Sequence, residues 1–261
     1  MNRIDQALAE HPPGLWPFLP AGYPDMDTTV DLLRAWADLP IRGVELGFPF
    51  SDPVADGPVI QHAFAHALDG GATVQRVFEC VASVRAEVGC PILAMVSASI
   101  VYRHGVEGFV QQARAAGLDG LIVPDLSLEE AAGVSEAVGR ADLRMPMLVA
   151  PTTPPARQRA IAEAASGFLY YVSVQGTTGE RHALPADLER HVAALRADTG
   201  IATLVGFGIS SAAAVRQVCA LADGAIVGSA VVRRLIDSQE SGTSRSQTVQ
   251  SVTRFVAELS G

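Results

Sequence analysis

The chain has 261 residues, 49% of them apolar, with a formal net charge of −9. That is ample for a large core, and the negative balance argues against non-specific binding to nucleic acid. No apolar run nears the roughly 20 residues of a membrane span, and the N-terminus MNRIDQALAEHPPG has no signal-peptide apolar region.

The three cysteines, Cys80, Cys90 and Cys219, are odd in number and lack metal-type spacing. They read as reduced thiols in a cytoplasmic protein. There is no lysine; every Lys+Arg count is arginine. A lysine Schiff base and a P-loop lysine are both impossible, so carbon–carbon chemistry here must rest on acids, bases and dipoles.

In chain order, short apolar runs predict strands at 15–20 (LWPFLP), 41–46 (IRGVEL), 91–96 (PILAMV), 119–124 (DGLIVP), 145–150 (MPMLVA), 168–173 (FLYYVS), 202–207 (ATLVGF) and 224–227 (GAIV). Between them lie helical patterns. Val74, Val77, Phe78, Val81 and Val84 share one face, as do Val249, Val252, Val256 and Leu259 near the C-terminus. The polar stretch 238–248, SQESGTSRSQT, predicts an exposed loop before the last helix. Eight strands separated by helices point to a single (β/α)8 TIM-barrel domain over residues 1–261. An open doubly wound sheet would call for a glycine-rich fingerprint after the first strand, and AGYPDMDTT there has none. LDGLIV (118–123) and ADGAIV (222–227), half a barrel apart, form a faint internal echo.

In such barrels, catalytic groups sit where strands end and the following loops begin. Glu45 holds that place on the second strand, and Asp52 and Asp56 lie in the loop beyond, in ELGFPFSDPVADGP. Two carboxylates from a strand end and a facing loop can straddle a small substrate, one giving a proton while the other takes or holds one. The plainer alternative pairs Glu45 with Arg42 or another arginine and leaves the aspartates to shape the loop; Asp52-Pro53 reads as turn chemistry. Late in the chain, GTTG (176–179), GFGIS (206–210) and VGSAVV (227–232) place glycines after the last three strands. Their backbone N–H groups and a short helix starting near Ser229 suit a phosphate. His62 and His66 have i, i+4 spacing but no third ligand near them, so no metal site is expected. His104 and His182 read as loop residues and His191 as a surface helix residue. Tyr170 and Tyr171 must point to opposite faces of the sixth strand, so one faces the barrel interior.

The stretch ELGFPFSDPVADGP resembles the long signature of the tryptophan synthase α-subunit family. The likeness extends through FLPAGYPD (18–25), GLDGLIVPDLSLEE (117–130), APTTP (150–154), YYVSVQGTTG (170–179), GFGIS (206–210) and ADGAIVGSAVV (222–232). It implies a (β/α)8 barrel with an extra N-terminal helix. It also implies cleavage of indole-3-glycerol phosphate to indole and glyceraldehyde 3-phosphate in L-tryptophan biosynthesis, without a cofactor. The implied partner is a pyridoxal-phosphate β subunit in an αββα heterotetramer. Residue by residue, the resemblance makes Glu45 the proton-shuttling acid/base and sets Asp56 against the indole N–H. Gly179, Gly208, Gly228 and Ser229 fall at phosphate-binding positions, Thr178 in the closing loop, and Phe18 and Ile122 at apolar positions flanking the indole. Tyr170 joins the expected substrate-binding set.

The chain also departs from the family pattern. Ser97 and Ser99 stand where an aromatic residue and an asparagine are usual, Pro20 where a threonine is often seen, and Gln175 where a small residue is usual. The changes around Ser97 and Ser99 imply an altered contact with the β subunit. They keep open two alternatives: a stand-alone lyase that releases free indole, or a non-catalytic activator of a β subunit.

Overall fold

The computed structural model describes residues 1–53, 56–172, 185–206 and 208–261. Eight parallel strands form one sheet: β1 (Gly14–Pro20), β2 (Val44–Gly47), β3 (Ile92–Met95), β4 (Gly120–Ile122), β5 (Met147–Val149), β6 (Leu169–Val172), β7 (Thr203–Gly206) and β8 (Gly224–Val227). Their order is β4-β3-β2-β1-β8-β7-β6-β5. The seam between β4 and β5 is bridged below the strands: Leu121 N donates to Arg144 O (2.8 Å) and Arg144 N to Asp119 O (3.0 Å). The sheet is thus a nearly closed (β/α)8 barrel.

Helices wrap it: α1 (Arg3–Glu10), α2 (Met26–Trp36), α3 (Pro58–Asp69), α4 (Val74–Val84), α5 (Ala98–His104), α6 (Val106–Ala116), α7 (Ala131–Arg140), α8 (Pro155–Ala164), α9 (Leu188–Thr199), α10 (Ala212–Cys219), α11 (Ser229–Glu240) and α12 (Arg245–Ser260). Several starts are written into the sequence as caps. Asp25, Thr73, Ser97, Ser211 and Ser244 each accept a backbone N–H in the first turn of their helix, which satisfies a donor the helix itself leaves unpaired. Ser244 and Gln247 form a complete capping box.

That box corrects the reading of 238–248 as a loop. Helix α11 runs on through Glu240 and α12 begins at Arg245, so only four residues connect them. The stretch is polar because both helix ends face solvent, not because it lacks structure. His104 likewise closes α5 instead of lying in a loop.

Strand alternation sorts side chains into two cores. Outward residues such as Leu46, Ala94, Leu121, Val149, Tyr171, Val205 and Ala225 pack under the helices. Inward ones, including Trp16, Leu93, Ile122, Phe168, Tyr170, Leu204 and Ile226, fill the barrel together with Ile4 and Ala7 of α1. Helix α1 therefore plugs the N-terminal end of the barrel. Asn2 fastens it, donating to Asp119 O (2.9 Å) and Asp142 O (2.8 Å) while its own Oδ1 accepts from Ile4 N. The Asp119 carboxylate, 1% exposed, is held by Arg3 (2.9 Å), Arg85 (3.1 Å) and Ile92 N (2.9 Å).

At the bottom of the interior, Trp16 lies against Gly43 so closely that a Cβ on Gly43 would sit 2.1 Å from the indole ring. Gly43→Ala is expected to destabilise the protein by about 3 kcal/mol, the upper end for overpacking a full core. Urea unfolding followed by Trp fluorescence reads this as a lowered midpoint; an unchanged midpoint would refute the packing argument.

Candidate active site

Glu45 lies in β2 in register with Phe18 of β1 and Leu93 of β3, so its side chain enters the barrel. It is fully buried, and neither carboxyl oxygen has a hydrogen-bond partner among the described residues. The alternative pairing with Arg42 is not made; Arg42 Nε donates to Pro12 O at the other end of the barrel (2.9 Å). Burial without a partner pushes the Glu45 carboxyl well above its ordinary value. An ionised carboxylate in that setting is costly, so burial favours the protonated acid. A structure rarely keeps such an unpaired acid for stability, which makes the position a candidate for proton chemistry.

Asp56 stands just before α3, where Gly57 caps the helix and Pro58 opens it. Its backbone is pinned on both sides: Asp56 N donates to Pro53 O (3.1 Å), and Gln61 Nε2 donates to Asp56 O (2.8 Å). The side chain is half-buried, and burial raises its pKa to about 6. The Tyr170 hydroxyl is pushed well above its usual value by burial, then by Glu45, then by Asp56. Both carboxyls are thus near enough to the Tyr170 phenol for their charges to act on it. Tyr170 faces inward and Tyr171 outward, where the Tyr171 hydroxyl lies 3.2 Å from His191 Nδ1 on α9.

Apolar walls flank these groups. Phe18 meets Phe64 of α3 edge-on, with ring centroids 6.4 Å apart. Room for Phe18 comes from Gly47, whose Cβ would lie 2.5 Å from the ring. Ile122 is fully buried in the same interior cluster as Leu93 and Tyr170. Gly206 does for Tyr170 what Gly47 does for Phe18: a Cβ there would meet the hydroxyl at 2.4 Å.

Gly228 closes this side of the site, its Cβ position 3.7 Å from Phe18 and 3.9 Å from Ile60. It caps α11 without any side-chain hydrogen bond, so the first turn of that 12-residue helix, starting at Ser229, offers its N–H groups outward. Gly208, with φ 77°, occupies the left-handed region that glycine tolerates best. Thr178 and Gly179, and Gln175 with them, lie outside the described residues.

The loops after β2, β3 and β4 enclose a cleft of ≈ 430 Å³ beside Asp56, lined by Phe64, Met95, Ser97 and Asp125 among others. Asp125 is the residue that sequence reasoning passed over. It accepts from Ser97 Oγ (2.6 Å) and from Ala98 N (2.8 Å), tying the loop after β4 to the start of α5. Its signal was present: an acid just past a strand end, as with Glu45. Ser99 N donates to Ser97 Oγ (3.2 Å). Asp52 bonds Ser51 at the exposed rim, as its turn reading expects. His62 and His66 pack edge-on against Tyr23, with centroids 6.1 and 5.1 Å away.

The chain matches the family model described as tryptophan synthase alpha chain over residues 4–260. It is 45% identical over 234 residues to the tryptophan synthase alpha chain of a Synechococcus species, covering 89% of this chain and 87% of that one. The Chloroflexus aggregans alpha chain is 41% identical over 264 residues, covering 99% and 97%. Among solved structures, the Legionella pneumophila alpha chain superposes with a TM-score of 0.89 at 32% identity, covering 99% of this chain and 96% of that one. A chain of the Pyrococcus furiosus tryptophan synthase complex does so with a TM-score of 0.85 at 31% identity, covering 94% and 97%.

Proposed function

The chain belongs to the tryptophan synthase alpha chain family, and we propose that Glu45 and Asp56 run its reaction from the barrel mouth. The protein is a carbon–carbon lyase that cleaves indole-3-glycerol phosphate in tryptophan biosynthesis. The observation that carries the residue assignment is the fully buried Glu45 carboxyl, unpaired and raised, with Asp56 near enough that the charges of both act on the Tyr170 phenol.

The chemistry asks for what these residues can give. Protonated Glu45 donates to indole C3, which turns that carbon into a leaving group and puts positive charge on the ring nitrogen. The Asp56 carboxylate, beside the ring N–H, stabilises that cation. Glu45, now a carboxylate, takes the proton of the glycerol hydroxyl as the carbon–carbon bond breaks. The bonding pair returns to the indole ring, the hydroxyl carbon becomes the aldehyde, and Glu45 is protonated again. Phe18 and Ile122 sandwich the ring and Tyr170 lies against it. Gly208, Gly228 and Ser229, with Gly179, hold the phosphate, and Thr178 is assigned to closing over the site. The chain has no lysine to form a Schiff base, and this route needs neither metal nor organic cofactor.

The family functions with a β subunit, and the chain's departures bear on that contact. Ser97 spends its hydroxyl on Asp125 at the cleft rim, where a larger aromatic would project. We place the α–β contact there, retained but weaker or specific to the cognate partner, since rim aromatics can each matter by about a kcal/mol or more. The free thiols Cys80, Cys90 and Cys219 fit a reducing cytoplasm, and among the described residues no helix is long and apolar enough to cross a membrane.

A steady-state assay with indole-3-glycerol phosphate tests both levels, run alone, with the cognate β subunit, and with one from a distant organism. Indole formation at any rate above background supports the lyase assignment, and none in all three arms sinks it. Stimulation by the cognate partner alone supports the altered contact. Full activity without a partner, unchanged by either, would make the protein a stand-alone lyase releasing indole.

A further inference from the structure

The opposite end of the barrel carries a second cavity. It measures ≈ 680 Å³ and lies between α1, the segment before β2 and the segment before β3, lined by Arg3, Gln6, His11, Arg42, Gly89 and Cys90 among others. No Asp or Glu is among its lining residues. Two guanidiniums, of Arg3 and Arg42, line it; Arg3 shares the buried Asp119 carboxylate with Arg85 behind the wall, and the exposed Glu10 accepts from Gln6 Nε2 (2.9 Å). The neighbouring Asp38 is exposed and not part of the wall. In a chain of net charge −9, a concave surface of this sign stands out.

Arg42 is held as if for a ligand. Its stem crosses Gly14 so closely that a Cβ there would sit 2.8 Å from Arg42 Cγ. Its Nε is fixed on Pro12 O (2.9 Å). Neither terminal amino group of Arg42 has a protein hydrogen bond among the described residues. A planar fork fixed at one edge and open at the other is the arrangement that takes two oxygens of a carboxylate or phosphate. The Cys90 thiol, pushed up to about 11 mainly by burial, stays neutral and does not repel an anion.

The geometry points to a binding site for a small multivalent oxyanion, a phosphate ester or a polycarboxylate, at the N-terminal face between Arg3 and Arg42. It lies across the barrel from the Glu45 site and does not depend on the reaction assigned there.

The experiment is a ¹⁵N-resolved NMR titration at pH 7 with pyrophosphate and, separately, citrate, against sodium chloride of matched ionic strength. Saturable shifts are expected at the Gln6 and Gly89 amides, followed apart from those at Gly228, where a phosphate can also bind. Arg42→Gln should weaken the Gln6 and Gly89 response at least tenfold and leave the Gly228 response intact. Gln6→Glu, which leaves every arginine in place, should weaken it at Gly89 and carries the test if Arg42→Gln does not fold. Pyrophosphate binding alone identifies a phosphate ligand, citrate binding alone a polycarboxylate, and either upholds the site. Shifts no larger than in sodium chloride, or unchanged affinity in the folded variants, would overturn it.

Discussion

Replacing Glu45 by Gln should lower kcat by about 10²–10⁴-fold while substrate still binds. In the proposed assignment the phosphate rim and the apolar walls supply ground-state affinity without Glu45, and the carboxyl works on protons that move in the transition state, so its loss falls on kcat and spares KM. The variant carries its own folding control. The Glu45 pKa is raised in the folded protein above its unfolded value near 4.5. Stability tied to that proton is present below the unfolded pKa and lost as pH rises toward the folded one, by about 1.4 kcal/mol per pH unit. Gln does not titrate, so Glu45→Gln should gain stability relative to the parent as pH rises above about 4.5. An inactive variant with this pH-dependent gain is folded and has lost chemistry. A variant keeping more than about a tenth of the parent kcat would remove Glu45 from the mechanism.

The sequence makes the eight strands legible because each is a short apolar run buried on both faces, as parallel strands are. Their ends read less well. The run 41–46 is regular strand only from Val44, although Arg42 N already donates to Leu15 O of β1 (2.8 Å). Glu45 stands out in the sequence as an acid inside an apolar run. That it has no partner emerges only from the fold, because Arg42, three residues earlier, ends at the opposite end of the barrel. Asp125 escaped notice because its partners, Ser97 and Ala98, lie one strand earlier. The space-making glycines are hidden for the same reason. Gly47 and Gly206 look like ordinary strand ends until Phe18 and Tyr170 are placed against them.

Asp56→Asn should lower kcat by about 10²–10³-fold, the usual scale for losing a group that stabilises transition-state charge. It should also change the shape of the pH profile. In its proposed role Asp56 acts as a carboxylate, and burial raises its pKa to about 6. In the parent, kcat/KM should therefore fall as pH drops through about 6, because the protonated acid cannot offset a cation on the indole ring. At high pH it should fall again as Glu45 loses the proton it must donate, giving a bell. The substrate complicates the acid side, since a phosphate monoester has its own second ionisation near pH 6. The variant separates the two. Asn stays neutral throughout, so the Asp56 contribution to the acid limb disappears, while any contribution from the substrate phosphate remains. If Asp56 is the cation's partner, the Asp56→Asn profile is low and flatter below pH 7, with the alkaline limb kept. An acid limb of undiminished steepness in the variant, at near-parental kcat, would assign that limb to the phosphate and leave Asp56 with a role in loop shape alone.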